Sequence, residues 1–152
     1  MARVVLLDAG PLGLACVRPG DHQGDALRAW LRTLETAGAE VIVPAVADYE
    51  VRRELVRVGA TAKLRRLTLI RARLDYLPVS ESAWEKAAEF WASVRNAGAP
   101  TAGPQDLDAD AILAGQAATA GRRGDTIMIA TTNARHLGRF PGIDARFWAA
   151  IA

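Results

Sequence analysis

Cysteine is almost missing from this chain: Cys16 stands alone among 152 residues. No intrachain disulfide can form, which excludes a secreted disulfide scaffold. A thiolate zinc cluster is excluded with it, and two histidines, His22 and His136, argue against a zinc site built on imidazole. No apolar run reaches the ~18 residues that a membrane span requires. The first such run, Val4 to Leu7, stops at Asp8 and is too short for a signal-peptide core. The 13 glycines and 7 prolines are scattered without a period, which excludes collagen-like and low-complexity classes. What remains is a 51% hydrophobic, 24% charged composition, able to build an ordinary core and unlike that of a disordered chain. One domain, residues 1–152, soluble and cytoplasmic with no membrane association, is the expectation.

Lysine is scarce as well: Lys63 and Lys86 are the only two among 19 basic residues, the rest being arginine. Eight basic residues lie between Val51 and Arg73 against one acid, Glu54, a local excess of seven that leaves the rest of the chain at −5. Such a polarity suits a polyanionic partner, and the planar guanidinium fork can bind two phosphate oxygens at once. A pair of solvated surface helices is the alternative on charge alone.

Short apolar runs and helical stripes alternate along the chain. Val4-Val5-Leu6-Leu7 has the pattern of a strand buried on both faces, with turn residues following from Asp8 to Gly13. Ala26 to Ala37 reads as a helix on Leu27, Trp30, Leu31 and Leu34, ended by Gly38. Val41-Ile42-Val43 is a second strand, and helices follow from Ala45 to near Gly59 and from Thr61. Tyr76-Leu77-Pro78-Val79 is a short third strand; Ser80 caps a helix with Trp84, Ala87, Ala88 and Trp91 as its buried stripe. A loop is expected from Ala99 to Asp106, a helix from about Asp108 to Ala120, and a fourth strand from Thr126 to Ala130. The tail from Phe140 to Trp148 should pack back through its aromatics. This alternation predicts an α/β three-layer α/β/α sandwich with a mostly parallel central sheet.

In such a sheet ligands bind outside the carboxyl ends of the strands. Asp8 follows the first strand directly, where it serves either as a helix cap or as a ligand. Glu50 falls near the same edge, six residues after Pro44; by itself it reads as a partner of Arg53 or Arg57. Asp106, Asp108 and Asp110 put three acids in five residues at the mouth of a helix. One is explained by capping, for which Asp108 is best placed, but three repel one another unless a cation sits nearby. Residues two apart on a helix differ by about 200° in direction, which turns Asp110 toward the sheet with Leu113 and Ala114. Asp125 and Asn133 bracket the fourth strand. Oxygen donors without a His or Cys cluster favour a hard cation, Mg²⁺ or Mn²⁺.

Leu6-Leu7-Asp8, Tyr49-Glu50-Val51-Arg52-Arg53, Asp110-Ala111-Ile112-Leu113-Ala114 and Thr131-Thr132-Asn133-Ala134-Arg135-His136 together resemble, in order, the PIN domain. The similarity is closest to VapC-like PIN proteins, the toxin-type ribonucleases of bacterial toxin–antitoxin pairs, and runs from Val4 to about Trp148. It implies a small parallel-sheet nuclease whose acids hold Mg²⁺ or Mn²⁺ and cleave RNA phosphodiester bonds. Carried over by motif, Asp8, Glu50 and Asp110 are the catalytic and metal-binding acids, and Asn133 takes the place of a fourth acid or its amide. An RNA substrate, a cognate antitoxin and a homodimer belong to the same expectation, with Arg52, Arg53, Arg57, Arg65 and Arg66 guiding the RNA strand.

Two departures stand out. Gly10 occupies a position where many members carry Ser or Thr, so a hydroxyl that could orient the metal or its water is missing. Asn133 brings no charge, which Asp108 or Asp125 could supply instead. The alternative they favour is a catalytically degenerate PIN-fold module that binds RNA or a protein partner. The smaller signals read as structural: Thr131 and Thr132 as satisfying backbone groups at a strand end, with orientation of a metal-bound water as the other reading, Cys16 as a small core residue, the tryptophans as packing.

Overall fold

The computed structural model describes residues 1–98 and 104–152, with side chains described for all of these except 104–106. Five strands form one sheet: β1 (Arg3–Leu7), β2 (Glu40–Pro44), β3 (Asp75–Leu77), β4 (Thr126–Thr131) and β5 (Ala145–Phe147). Their order is β3-β2-β1-β4-β5 and every pairing is parallel, with Leu6 opposite Ile42 on one side and Ile129 on the other. The connecting helices are α1 (Ala9–Ala15), α2 (His22–Thr36), α3 (Ala45–Val58), α4 (Thr61–Arg73), α5 (Glu81–Asn96), α6 (Pro104–Thr119) and α7 (Ala134–Leu137), before a closing 3₁₀ turn at Trp148–Ala150.

The period of two along β1 divides the interior into two cores. Val5 and Leu7 face one side, against Leu12 of α1, Leu27, Leu31 and Leu34 of α2 and Leu67 of α4. Val4 and Leu6 face the other, against Phe90 and Val94 of α5, Leu113 of α6, and Phe140. Each fully buried Leu or Phe here contributes roughly 1.5–3 kcal/mol by removal from water. The result is the three-layer sandwich expected from the alternation, with a sheet that is wholly rather than mostly parallel. Cys16 is buried, its thiol donating to the Leu12 carbonyl at 3.3 Å. Among the described residues no helix is long and apolar enough to cross a membrane.

Several local expectations are corrected. The turn expected after Asp8 is the helix α1: Asp8 caps it, and Pro11 is tolerated because the first turn needs no N–H from it. The second helix starts earlier than Ala26, at His22, with Asp21 accepting from Gly24 N. The third strand is Asp75–Leu77, ending before Pro78. The tail adds a strand, β5, alongside the aromatic packing of Phe90 on Phe140 and of Trp30 on Trp148. Of the loop expected over Ala99–Asp106, residues 99–103 lie outside the described residues and the remainder belongs to α6. Asp108 accordingly sits inside that helix and does not cap it. The buried face of α5 is Ala83, Ala87, Phe90 and Val94, whereas Trp84 and Trp91 are 52% and 38% exposed.

Candidate metal and nucleic-acid site

Asp8 ends the central strand β1, so its carboxylate stands at the carboxyl edge of the sheet. Its backbone N–H still donates to Ala130 of β4 at 2.9 Å, which fixes the main chain on which the side chain is carried. Oδ1 accepts from Ala9 N at 2.8 Å, and Oδ2 accepts from the Thr131 hydroxyl at 2.7 Å. Thr131 is fully buried, and its Oγ1 in turn accepts from Asn133 N at 3.0 Å. Asp8, Thr131 and the backbone of Asn133 thus form one chain of hydrogen bonds at the ends of β1 and β4. Burial raises the Asp8 carboxyl above its usual range, and the two donors pull it only partway back.

Glu50 lies in the second turn of α3, the helix that starts where β2 ends. Glu50 and Asp108 line one cleft of about 300 Å³, together with Tyr49, Arg53 and Ile112. Asp110 also stands near the start of α6, but about half a turn round the helix from Asp108, and faces Arg139 with Nη2 at 3.5 Å from its Oδ2. Gln116 sets the position of α6 relative to α3: fully buried, it accepts from Val46 N at 3.4 Å and donates to the Leu77 carbonyl at 2.8 Å. Asp8, Glu50, Asp108, Asp110 and Asn133 therefore all belong to one edge of the sheet. The side chain of Asp106 lies outside the described residues.

Asp125 is not brought to that edge. It precedes β4, and a six-residue strand at ~3.3 Å per residue separates the ends by roughly 20 Å. Its carboxylate is instead occupied by Ala2 N at 2.8 Å and Arg122 N at 2.7 Å.

The arginine-rich stretch forms α3 and α4, and much of its charge is spent internally. Arg52 forks onto Asp48 with contacts of 3.1 and 3.0 Å, and Arg71 reaches the same carboxylate at 3.4 Å. Arg57 is bound to Glu54, Arg73 to Glu35, and Arg66 donates to the Cys16 carbonyl at 3.1 Å. Arg53, stacked over the exposed Tyr49 ring at 5.1 Å, and Arg65 are exposed, and among the described residues neither has an ion pair. Asp48, Gln116 and Thr131 are the buried polar residues among those described, and the sequence offers no site role for Asp48 or Gln116. The Asp48–Arg52 spacing of four within a helix was a usable signal; Gln116 and Thr131 depend on partners distant in sequence.

The donors at this edge are carboxylate, amide and hydroxyl oxygens, the set that Mg²⁺ or Mn²⁺ takes. Asp8 is a largely buried carboxylate whose described donors are one hydroxyl and one backbone N–H, a setting that fits such an ion. Among the described residues no three Asp, Glu, His or Cys side chains already stand close enough to hold a metal. A cation would therefore have to draw them together.

A parallel α/β sheet with hard oxygen donors on its carboxyl edge defines a class of fold that places acidic chemistry at strand ends. The family model of the PIN domain matches residues 14–139, and the chain belongs to that family. Among solved structures it is similar to VapBC2 from Rickettsia felis bound to a DNA fragment from their promoter, with a TM-score of 0.72 and 14% identity over 95% of this chain and 98% of that one. DNA-bound VapBC from Salmonella typhimurium gives 0.68 and 22% over 97% and 99%. FitAcB from Neisseria gonorrhoeae gives 0.62 and 19% over 97% and 99%. No curated protein matches the sequence.

Proposed function

We propose that this protein is a metal-dependent endoribonuclease, the toxin of a type II toxin–antitoxin pair. The observation that carries the reading is Asp8 itself, a carboxylate at the end of the central strand, pinned by a buried hydroxyl and raised by burial. Asp8, Glu50 and Asp110 would hold Mg²⁺ or Mn²⁺, with the Asn133 amide oxygen as a further donor. When bound, the ion lowers the pKa of water and offsets the charge that builds on the phosphoryl oxygens. Thr131 keeps Asp8 in one orientation, and Arg53 and Arg65 offer the strand its phosphate contacts. The resemblance to the VapBC and FitAcB structures supports a cognate antitoxin as partner.

A second copy of the chain is the other partner we propose. Trp84 and Trp91, exposed on α5, line a cleft of about 400 Å³ with Ile112 beside the acidic edge. Among the described residues Asp108 is its one charged wall residue, so an apolar surface of like kind, brought by a two-fold axis, complements it better than a phosphate backbone does.

The test is incubation of the purified protein with a mixed RNA pool in Mn²⁺ and in EDTA, alongside Asp8→Asn and Asp110→Asn. Cleavage should appear only with Mn²⁺ and vanish in both variants; a variant cutting at the parental rate would show the assignment to be wrong. The Arg139–Asp110 contact favours a second reading, a PIN module with a degenerate site that binds RNA or protein without cutting. Calorimetry separates the two, since the degenerate site takes up no Mn²⁺.

A further inference from the structure

Thr132 carries a hydroxyl that the reading above leaves unused. Its neighbour Thr131 is buried and fully engaged, donating to Asp8 and accepting from Asn133 N. Thr132 is exposed, and among the described residues its hydroxyl takes part in no hydrogen bond. Its side chain nevertheless has a defined seat. A Cβ placed on Gly10 would lie 2.5 Å from Thr132 Oγ1, 2.8 Å from Cγ2 and 3.2 Å from Cβ. The Thr132 side chain thus fills the notch that glycine leaves in the first turn of α1, two residues beyond Asp8.

The backbone does not demand glycine there. Gly10 is not among the glycines with positive φ, so any residue could adopt its conformation. Gly13, three residues on in the same helix, would meet nothing within 4 Å if it carried a Cβ. What a side chain at position 10 would meet is Thr132, which would have to turn aside. In this chain the side chain that fills the notch two residues beyond Asp8 enters from the end of β4 instead of from α1.

We propose that Thr132 Oγ1 supplies the hydroxyl that Gly10 lacks and orients the attacking water beside Asp8. This rests on the ribonuclease reading and names a positioning residue within it. The role asks for a hydroxyl at one place, so serine should serve and valine should not.

Four variants test it: Thr132→Val, Thr132→Ser, Gly10→Ser and the double variant Gly10→Ser with Thr132→Ala. Each is measured for kcat and KM on a short single-stranded RNA in Mn²⁺, and for melting temperature in EDTA. Thr132→Val should lose roughly ten- to hundredfold in kcat, as misplaced reactants do, with KM and the metal-free melting temperature unchanged. Thr132→Ser should keep both. Gly10→Ser should melt earlier through its clash with Thr132, and the double variant should recover melting temperature and most of kcat. Parental kcat in Thr132→Val, or no recovery of melting temperature in the double variant, overturns the proposal. A parent without EDTA-sensitive cleavage overturns the ribonuclease reading and this role with it; an active parent beside an indifferent Thr132→Val overturns this role alone.

Discussion

Thr131 Oγ1 donates to Asp8 Oδ2 at 2.7 Å, joining residues 123 positions apart at the ends of two adjacent strands. Thr131→Val keeps the shape of the buried side chain and removes the donor. Losing a hydrogen bond to a charged group should cost roughly 1.5–3 kcal/mol in urea unfolding. Mn²⁺-dependent cleavage should fall in the same variant and return in Thr131→Ser. Parental stability in Thr131→Val would mean that Asp8 finds another donor.

Asp48 holds two arginines at once, and its removal should be felt in stability before anything else. Asp48→Ala is expected to destabilise by roughly 1.5–3 kcal/mol while leaving Mn²⁺ affinity at the parental value. Arg52→Glu should be worse, since it sets a second carboxylate against a buried one. A loss of Mn²⁺ binding in folded Asp48→Ala would place this carboxylate in the site after all.

RNA affinity should follow the exposed arginines and not the paired ones. In an Asp110→Asn background, Arg53→Glu with Arg65→Glu should weaken binding and flatten its dependence on salt. The slope of log K against log salt should drop by roughly 0.7 for each phosphate of a single strand that is no longer neutralised. Fluorescence anisotropy across a salt series reads this directly, and an unchanged slope would make both residues ordinary solvated surface.

The exposed tryptophans of α5 predict a self-association that serine replacement breaks. Light scattering on Trp84→Ser with Trp91→Ser should report half the parental mass, with the circular dichroism of the folded chain unchanged because neither ring is fully buried in the free chain. Equal masses for parent and variant would remove this face from consideration as the dimer contact.

Asp125 offers a test by pH, away from the acidic edge. Backbone donors from Ala2 and Arg122 hold its carboxyl below the usual 3.8. The native state therefore binds fewer protons than the unfolded chain through that interval, and the stabilising contribution is complete above 3.8 and lost as pH falls through the native value. Asp125→Asn should melt earlier than the parent at neutral pH, with the gap closing in strong acid and with Mn²⁺ affinity intact throughout.

Local signals sufficed for β1, β2, α3 and the Ser80 cap, because each is marked by a run or punctuation within a few residues. The phase of α5 was not legible. Apolar ranking puts Trp84 and Trp91 on the buried stripe beside Ala87 and passes over Ala83, but α6 approaches so closely that a Cβ on Gly115 would sit 2.5 Å from the Ala83 carbonyl. That approach selects small side chains for the buried face and turns the large ones outward. The acids at the carboxyl edge were legible because strand ends and helix starts fix their place in any parallel sheet. The engagement of Arg71 by Asp48, and of Asp8 by Thr131, was not, since charge and polarity in a sequence do not say which distant partner is within reach. Asp125 shows the converse: proximity to a strand in sequence does not say which end of it matters.

The solitary thiol makes the protein its own clock. Cys16 is 1% exposed, donates to the Leu12 carbonyl, and has its pKa pushed up by burial to about 11. A thiol reagent attacks the thiolate and needs access to it, so the native molecule should stay silent while every molecule that opens is marked once. The ratio of the observed labelling rate to that of the denatured chain then gives the opening equilibrium around α1 and its neighbours, with no reporter introduced and no second site to confuse the count.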